Sequence, residues 1–156
     1  MRSLTWKSGF SALEGLIVLA FFGLLITLGA LSLNSARART RDAVRLSDMN
    51  TLRSALSVYW QQKASYPTSA GVSIGQAGVT DALTLDKAGF VPSASAQPPV
   101  LLQKILPGPM SNEYYWYKGT PSAYTIRFET ERDTVLGNAN IYYLHSTGFD
   151  ASEDVK

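Results

Sequence analysis

Between Glu14 and Arg37 the chain carries no charge. Residues 15–36 are neutral, and Leu16–Leu33 is apolar apart from Gly23, Thr27, Gly29 and Ser32. A helix rises 1.5 Å per residue, so about 20 such residues cross a hydrocarbon layer ~30 Å thick. The 156 residues make about one domain. A domain of that size is too small to wrap a helix this apolar inside its own core. The run therefore predicts a membrane-inserting helix, and the remainder of the chain must form whatever that helix carries. The mean hydropathy, close to zero, is the average of two unlike parts.

The charges lie outside this run. Arg2 and Lys7 precede it. Residues 37–53 hold Arg37, Arg39, Arg41, Arg45 and Arg53 against Asp42 and Asp48, and the chain beyond residue 53 is mildly acidic. A net charge of +2 is too small to point to a nucleic-acid partner. The arginine cluster suits nucleic acid or anionic lipid headgroups, but a solvated helix face beside a membrane is the simpler reading. With no cysteine, a disulfide scaffold, a thiolate metal site and a cysteine nucleophile are excluded.

A basic start followed by an apolar stretch is the pattern of a secretory signal. Here the apolar stretch exceeds the usual ~7–15 residues of a signal core, and Ser35-Ala36-Arg37 makes a poor cleavage site. Glu14 is a carboxylate at the edge of an apolar segment, where it is costly without a partner or a function. The order Lys7-Ser8-Gly9-Phe10-Ser11-Ala12-Leu13-Glu14, followed by the apolar run, resembles the N-terminal signature of type IV pilins and type II secretion pseudopilins. That signature is a short basic leader ending in glycine, a phenylalanine, and a glutamate four residues later.

The resemblance implies that prepilin peptidase cleaves between Gly9 and Phe10 on the cytoplasmic side and that Phe10 is N-methylated. Glu14 is then the assembly residue, pairing with the α-amine of a neighbouring subunit and fixing the stagger of a fibre; the alternative is a carboxylate that snorkels to the membrane surface. Breaking such a pair in apolar surroundings costs roughly 3–5 kcal/mol. The chain departs from the family at Ala12 and Gly15, where larger aliphatics are usual, and at Leu31, where many members have proline. Basic residues normally stay on the cytoplasmic side. Four arginines close to the far end of the span go against that, so the N-inside orientation rests on the resemblance.

Beyond the span, Leu46, Met49, Leu52, Leu56 and Tyr59 recur every three or four residues, with Arg45, Asp48, Arg53 and Gln61 off that stripe. This predicts one helix from about Phe10 to Gln62, apolar all round in its first half and amphipathic in its second. Ala55-Leu56-Ser57-Val58-Tyr59, then Tyr66-Pro67, is similar to the helix end of pilin-like proteins. Residues 68–111, rich in Gly, Ser, Ala, Thr and Pro, predict a loop region with short helices at 80–88 and 100–105. Alternating aromatic and β-branched residues predict strands at 112–118, 123–130 and 139–145. The expected fold class is α+β and pilin-like: a long N-terminal helix with an antiparallel sheet of three or four strands on its second half. The expected divisions are a leader (1–9), a transmembrane or fibre-core helix (10–36), its amphipathic continuation (37–62), a connecting region (63–111), the sheet (112–149) and a mobile tail (150–156).

Catalytic residues are not expected. His145 is the sole histidine, placed at a strand end, and neither a Gly-x-Ser-x-Gly elbow nor a phosphate-binding Gly-rich loop occurs. No cofactor is expected. Glu129, Glu131 and Asp133, with Asn138 and Asn140, offer oxygen ligands of the kind calcium uses, and some pseudopilins bind calcium in C-terminal loops. Solvated carboxylates explain the cluster better, since its spacing matches no defined loop. In Tyr114–Tyr117, strand alternation sends half the side chains into the core, which leaves little of an adhesive or base-stacking surface.

The resemblance implies a structural subunit of a type IV pilus-like filament, inserted in the cytoplasmic membrane by a single pass and then present in a surface or periplasmic filament. Its partners would be prepilin peptidase, further copies of itself, other pilin-like subunits and an assembly platform. The alternatives are a pseudopilin of a type II secretion system, a subunit of a DNA-uptake pilus, and an anchored binding protein that never polymerises.

Overall fold

The computed structural model describes residues 11–156, so Gly9 and Phe10 lie outside the described residues. The chain divides into two units, one ending at Arg37 and the other comprising Ala38–Lys156. Helix α1, Ala12–Lys63, supplies residues to both.

In the first unit α1 starts beside Ser11. Its hydroxyl accepts the Leu13 N–H at 3.3 Å and its carbonyl accepts the Gly15 N–H at 3.1 Å. A hydroxyl at this position satisfies one of the amides that a helix start leaves unpaired. Glu14 in the first turn has the sign that the positive end of the helix dipole favours. Every side chain from Ala12 to Asn34 is exposed. The helix is long and apolar enough to cross a membrane, and none of its apolar stretch is buried. Thr27 turns its hydroxyl back to the Leu24 carbonyl at 2.8 Å, which suits a polar group in an apolar setting.

In the second unit the rest of α1 buries Ala38, Asp42, Arg45, Met49, Leu52, Ala55, Leu56 and Tyr59. This is one helical stripe, as the hydrophobic pattern from Met49 onward predicts. Against it lies a five-stranded antiparallel sheet. Its strands are β1 (Ser69–Ile74), β5 (Tyr115–Gly119), β6 (Tyr124–Glu129), β7 (Ile141–His145) and β8 (Gly148–Asp150), in the order β1-β5-β6-β7-β8. A second antiparallel sheet contains β2 (Thr84–Asp86), β3 (Gly89–Val91) and β4 (Val100–Leu102), in the order β3-β2-β4. The inner face of the large sheet contributes Tyr115, Tyr117, Tyr124, Ile126, Phe128, Tyr142 and Leu144 to a core shared with Ile74, Leu85 and Ile105.

The α+β class and the long helix agree with the sequence. The large sheet has five strands rather than three or four. Its extra members are β1, which pairs Ser69 with Gly119 across 50 residues, and the three-residue β8. The region expected to be loop with helices at 80–88 and 100–105 instead holds β1 to β4. Asp86 explains part of this. Its buried carboxylate accepts the Ala88 and Gln97 N–H groups, both at 2.7 Å, closing the tight turn between β2 and β3 and holding the following loop. Residues 150–156 are not a free tail. Lys156 Nζ reaches Asp150 Oδ2 at 2.8 Å, Ser152 donates its N–H to Asp150 Oδ1 at 2.7 Å, and the Ser146 hydroxyl donates to the Lys156 carbonyl at 2.9 Å.

The helix ends at Lys63, four residues before Pro67, where Ala64 takes a left-handed φ of 52° and donates its N–H to the Trp60 carbonyl at 2.7 Å. The buried Tyr117 hydroxyl donates to the Pro67 carbonyl at 2.6 Å, and the Tyr66 N–H donates to the Pro121 carbonyl at 2.9 Å. Tyr66 packs on Trp60 and Tyr124 with ring centroids 4.7 and 4.8 Å apart. Gly119 lies under this junction, and a Cβ there would collide with both the Tyr117 hydroxyl and the Pro67 carbonyl. Because one of those atoms is backbone, Gly119→Ala is expected to destabilise the second unit by about 2 kcal/mol, within the range for overpacking. Gly23→Ala meets nothing within 4 Å and is expected to leave the melting temperature of that unit unchanged. Thermal melts of the detergent-solubilised full chain followed by near-ultraviolet circular dichroism check both.

Candidate functional site

Glu14, the residue assigned to assembly, is exposed in the first turn of α1 and makes no ion pair with any described residue. The exposed leucines, isoleucines and phenylalanines from Leu16 to Leu33 follow it along the helix. The carboxylate and the apolar surface therefore both lack a partner among the described residues.

Of the four arginines that follow the span, the structure sorts two into the head. Arg41 grips Glu131 with two parallel bonds, Nε to Oε1 at 2.7 Å and Nη2 to Oε2 at 2.5 Å. Arg45 is 2% exposed. Its Nε and Nη2 meet the two Glu113 oxygens at 2.6 and 2.8 Å, and its Nη1 meets Asp42 Oδ1 at 2.6 Å and Glu131 Oε1 at 2.8 Å. Asp42 also accepts the Glu131 and Arg132 N–H groups, each at 2.9 Å. Three carboxylates from the helix, the segment before β5 and the segment after β6 thus converge on one buried guanidinium. Planar fork-to-carboxylate pairing of this kind is the strongest hydrogen-bonded form of an ion pair. It ties both segments to the same two turns of α1.

The charges respond accordingly. The Arg41 hydrogen bond, helped by Arg45, pulls the Glu131 carboxyl down to about 2. Burial works against the Arg45 charge, but its bonds to Glu113, Glu131 and Asp42 outweigh that and raise its pKa. Nearby, burial raises the Asp48 carboxyl although the Tyr115 hydroxyl donates to it at 2.7 Å.

The hydrophobic periodicity puts Arg45 off the buried stripe, whereas the structure buries it there. The signal was present: Asp42 and Arg45 continue the series Met49, Leu52, Leu56 back along the helix at spacings of three and four. Their polarity concealed it. Arg37 and Arg39 are exposed.

The structure does not gather the oxygen ligands considered for calcium. Glu131 is occupied by two guanidiniums, Glu129 ends β6 as an exposed residue, and Asp133 accepts the Ala139 N–H at 3.2 Å. Among the described residues no group of three or more histidines and carboxylates is placed to hold a metal ion. In the aromatic run Tyr115 and Tyr117 enter the core while Trp116 faces outward, its indole lying on Gly71. His145 is fully buried at the end of β7, with Nε2 2.9 Å from Asp150 Oδ1 and 3.0 Å from the Ser152 carbonyl. Two acceptors on one nitrogen place the proton on Nε2.

The lowered Glu131 carboxyl gives a pH dependence of known sign. A group whose folded value lies below its unfolded value, here about 4.3, contributes stability above the unfolded value and loses it as pH falls through the folded one. Stability is therefore expected to decline from about pH 5 towards pH 2, and Glu131→Gln is expected to flatten that decline in melts taken across the range. Arg45→Met leaves three carboxylates facing one another and is expected to cost about 3–5 kcal/mol at neutral pH. Comparison with protein-family models, with curated proteins and with solved structures finds no match for this chain.

Proposed function

We propose that this chain is a structural subunit of a type IV pilus-like filament. It would be inserted in the cytoplasmic membrane with its N-terminus inside, processed after Gly9 by prepilin peptidase, methylated on Phe10 and then packed with further copies. The observation that carries the reading is the first half of α1, an apolar helical surface exposed from Ala12 to Asn34, with Glu14 in its first turn and without an ion pair among the described residues. Such a surface is unstable in water and must be covered. A bilayer covers it before assembly, and like helices cover it afterwards. The motif from Lys7 to Glu14 supports the second step, since a carboxylate one turn from a new α-amine can pair with the amine of a neighbour. The folded second unit supports the subunit reading too, because its core is drawn from residues beyond Arg37.

Two measurements test this. Intact-mass analysis of the chain from its native membrane is expected to give a polypeptide beginning at methylated Phe10. A chain still beginning at Met1 would point to an anchored protein that does not polymerise. Electron microscopy of sheared surface or periplasmic material is expected to find filaments that disappear or become irregular with Glu14→Ala. Unchanged filaments in that variant would remove the assembly role of Glu14.

A further inference from the structure

We propose that Arg37 and Arg39 bind the phosphates of anionic phospholipid headgroups at the membrane surface where α1 leaves the bilayer. The inference rests on the membrane part of the reading above and assigns the two arginines that the head leaves unused.

The sorting of the cluster is the starting point. Arg41 and Arg45 are held by Glu131, Glu113 and Asp42. Arg37 and Arg39 are exposed and form no ion pair among the described residues. The nearest carboxylate along the helix is Asp42, three residues beyond Arg39. It is 2% exposed and already accepts from Arg45 and from two backbone amides. Among the described residues its ion pair is with Arg45 and not with Arg39.

Position supplies the second argument. The hydrocarbon layer is ~30 Å thick and the headgroup regions bring the bilayer to ~40–45 Å, so each headgroup layer is about 5–8 Å deep. Arg37 and Arg39 follow Leu33 by four and six residues, about 6 and 9 Å of helical rise. Helical side chains lean towards the N-terminus of their helix, which here is back towards the apolar run. Both guanidiniums thereby reach headgroup depth while their methylene stems stay along the apolar boundary. At about 100° per residue the two lie on nearly opposite sides of α1, so each meets a different lipid. A guanidinium matches a phosphate through two parallel N–H bonds.

A carboxylate on a second copy is the competing partner. Anionic lipid is favoured because a bilayer that accepts the apolar run brings headgroups to these two positions before a second copy arrives, and two arginines without a carboxylate partner leave a positive charge that a net-negative headgroup offsets and a zwitterionic one does not.

The test uses the full chain reconstituted in phosphatidylcholine vesicles with and without phosphatidylglycerol. Retention after alkaline extraction reads insertion. Electron spin resonance with spin-labelled phosphatidylglycerol and phosphatidylcholine reads lipid preference. A basic residue near an anionic surface contributes about 1 kcal/mol, or about fivefold. The native chain is therefore expected to prefer phosphatidylglycerol about fivefold or more at low salt. That preference is expected to fall towards parity in Arg37→Gln/Arg39→Gln and in high salt, and to persist in Arg53→Gln. A chain that inserts without preferring phosphatidylglycerol, or a double variant that keeps the preference, would overturn the inference and leave the membrane reading standing. So would a double variant that changes self-association but not lipid preference. A chain that neither vesicle retains would overturn both.

Discussion

A guanidinium removed from water has to be surrounded by acceptors, because an unpaired buried charge costs several kcal/mol. Arg45 imposes that requirement on the second unit. It lies on the core face of α1, so its partners must come from the parts of the chain that close over the helix. Asp42 is three residues away on the same helix, Glu113 comes from the segment before β5, and Glu131 from the segment after β6. The charge therefore sets where those two segments meet the helix. Farther along α1 the same face turns apolar at Met49, and orientation passes from directional hydrogen bonds to packing. One end of the sheet is positioned by charge and the other by aromatic rings.

The core face of the sheet is rich in tyrosines. Tyr115, Tyr117 and Tyr124 are among the largest fully buried side chains, and burial raises the hydroxyl pKa of all three. A core of phenylalanines would fill similar space without the hydroxyls. Here Tyr117 uses its hydroxyl to hold the carbonyl of Pro67, and Tyr115 uses its own on Asp48. Each ties the sheet to the helix or to its end through a bond whose direction is fixed, which packing alone does not provide.

The sequence makes the long helix plain, because a neutral run of that length has few physical alternatives. The strands β5, β6 and β7 are also visible in their alternation, though Asn112–Tyr114 belongs to the turn before β5, with Asn112 at φ 61°. What escapes reading is set at a distance. β1 has little strand character in Ser69-Ala70-Gly71 and becomes a strand because β5 pairs with it. The three-residue strands β2, β3 and β4 are too short for periodicity to mark. The arginine cluster looks uniform in sequence, and only the carboxylates brought in by the fold divide it into buried and free members. Glu131 reads as a possible metal ligand until Arg41 and Arg45 are seen beside it. Glu14 stands apart, since its reading comes from a motif and not from contacts among the described residues.

The contact between Gly71 and the Trp116 indole has a kinetic side. Strands β5 to β8 follow one another directly in the chain, whereas β1 is separated from its partner β5 by the whole of residues 75–114. Closing a loop of that length is the slow kind of step in forming a sheet. Any larger residue at position 71 would occupy the space of the ring, so the indole is shielded on that side only when β1 is in register. Trp116 is thus a built-in fluorescent reporter of whether the edge strand has docked, placed on the strand with which β1 pairs.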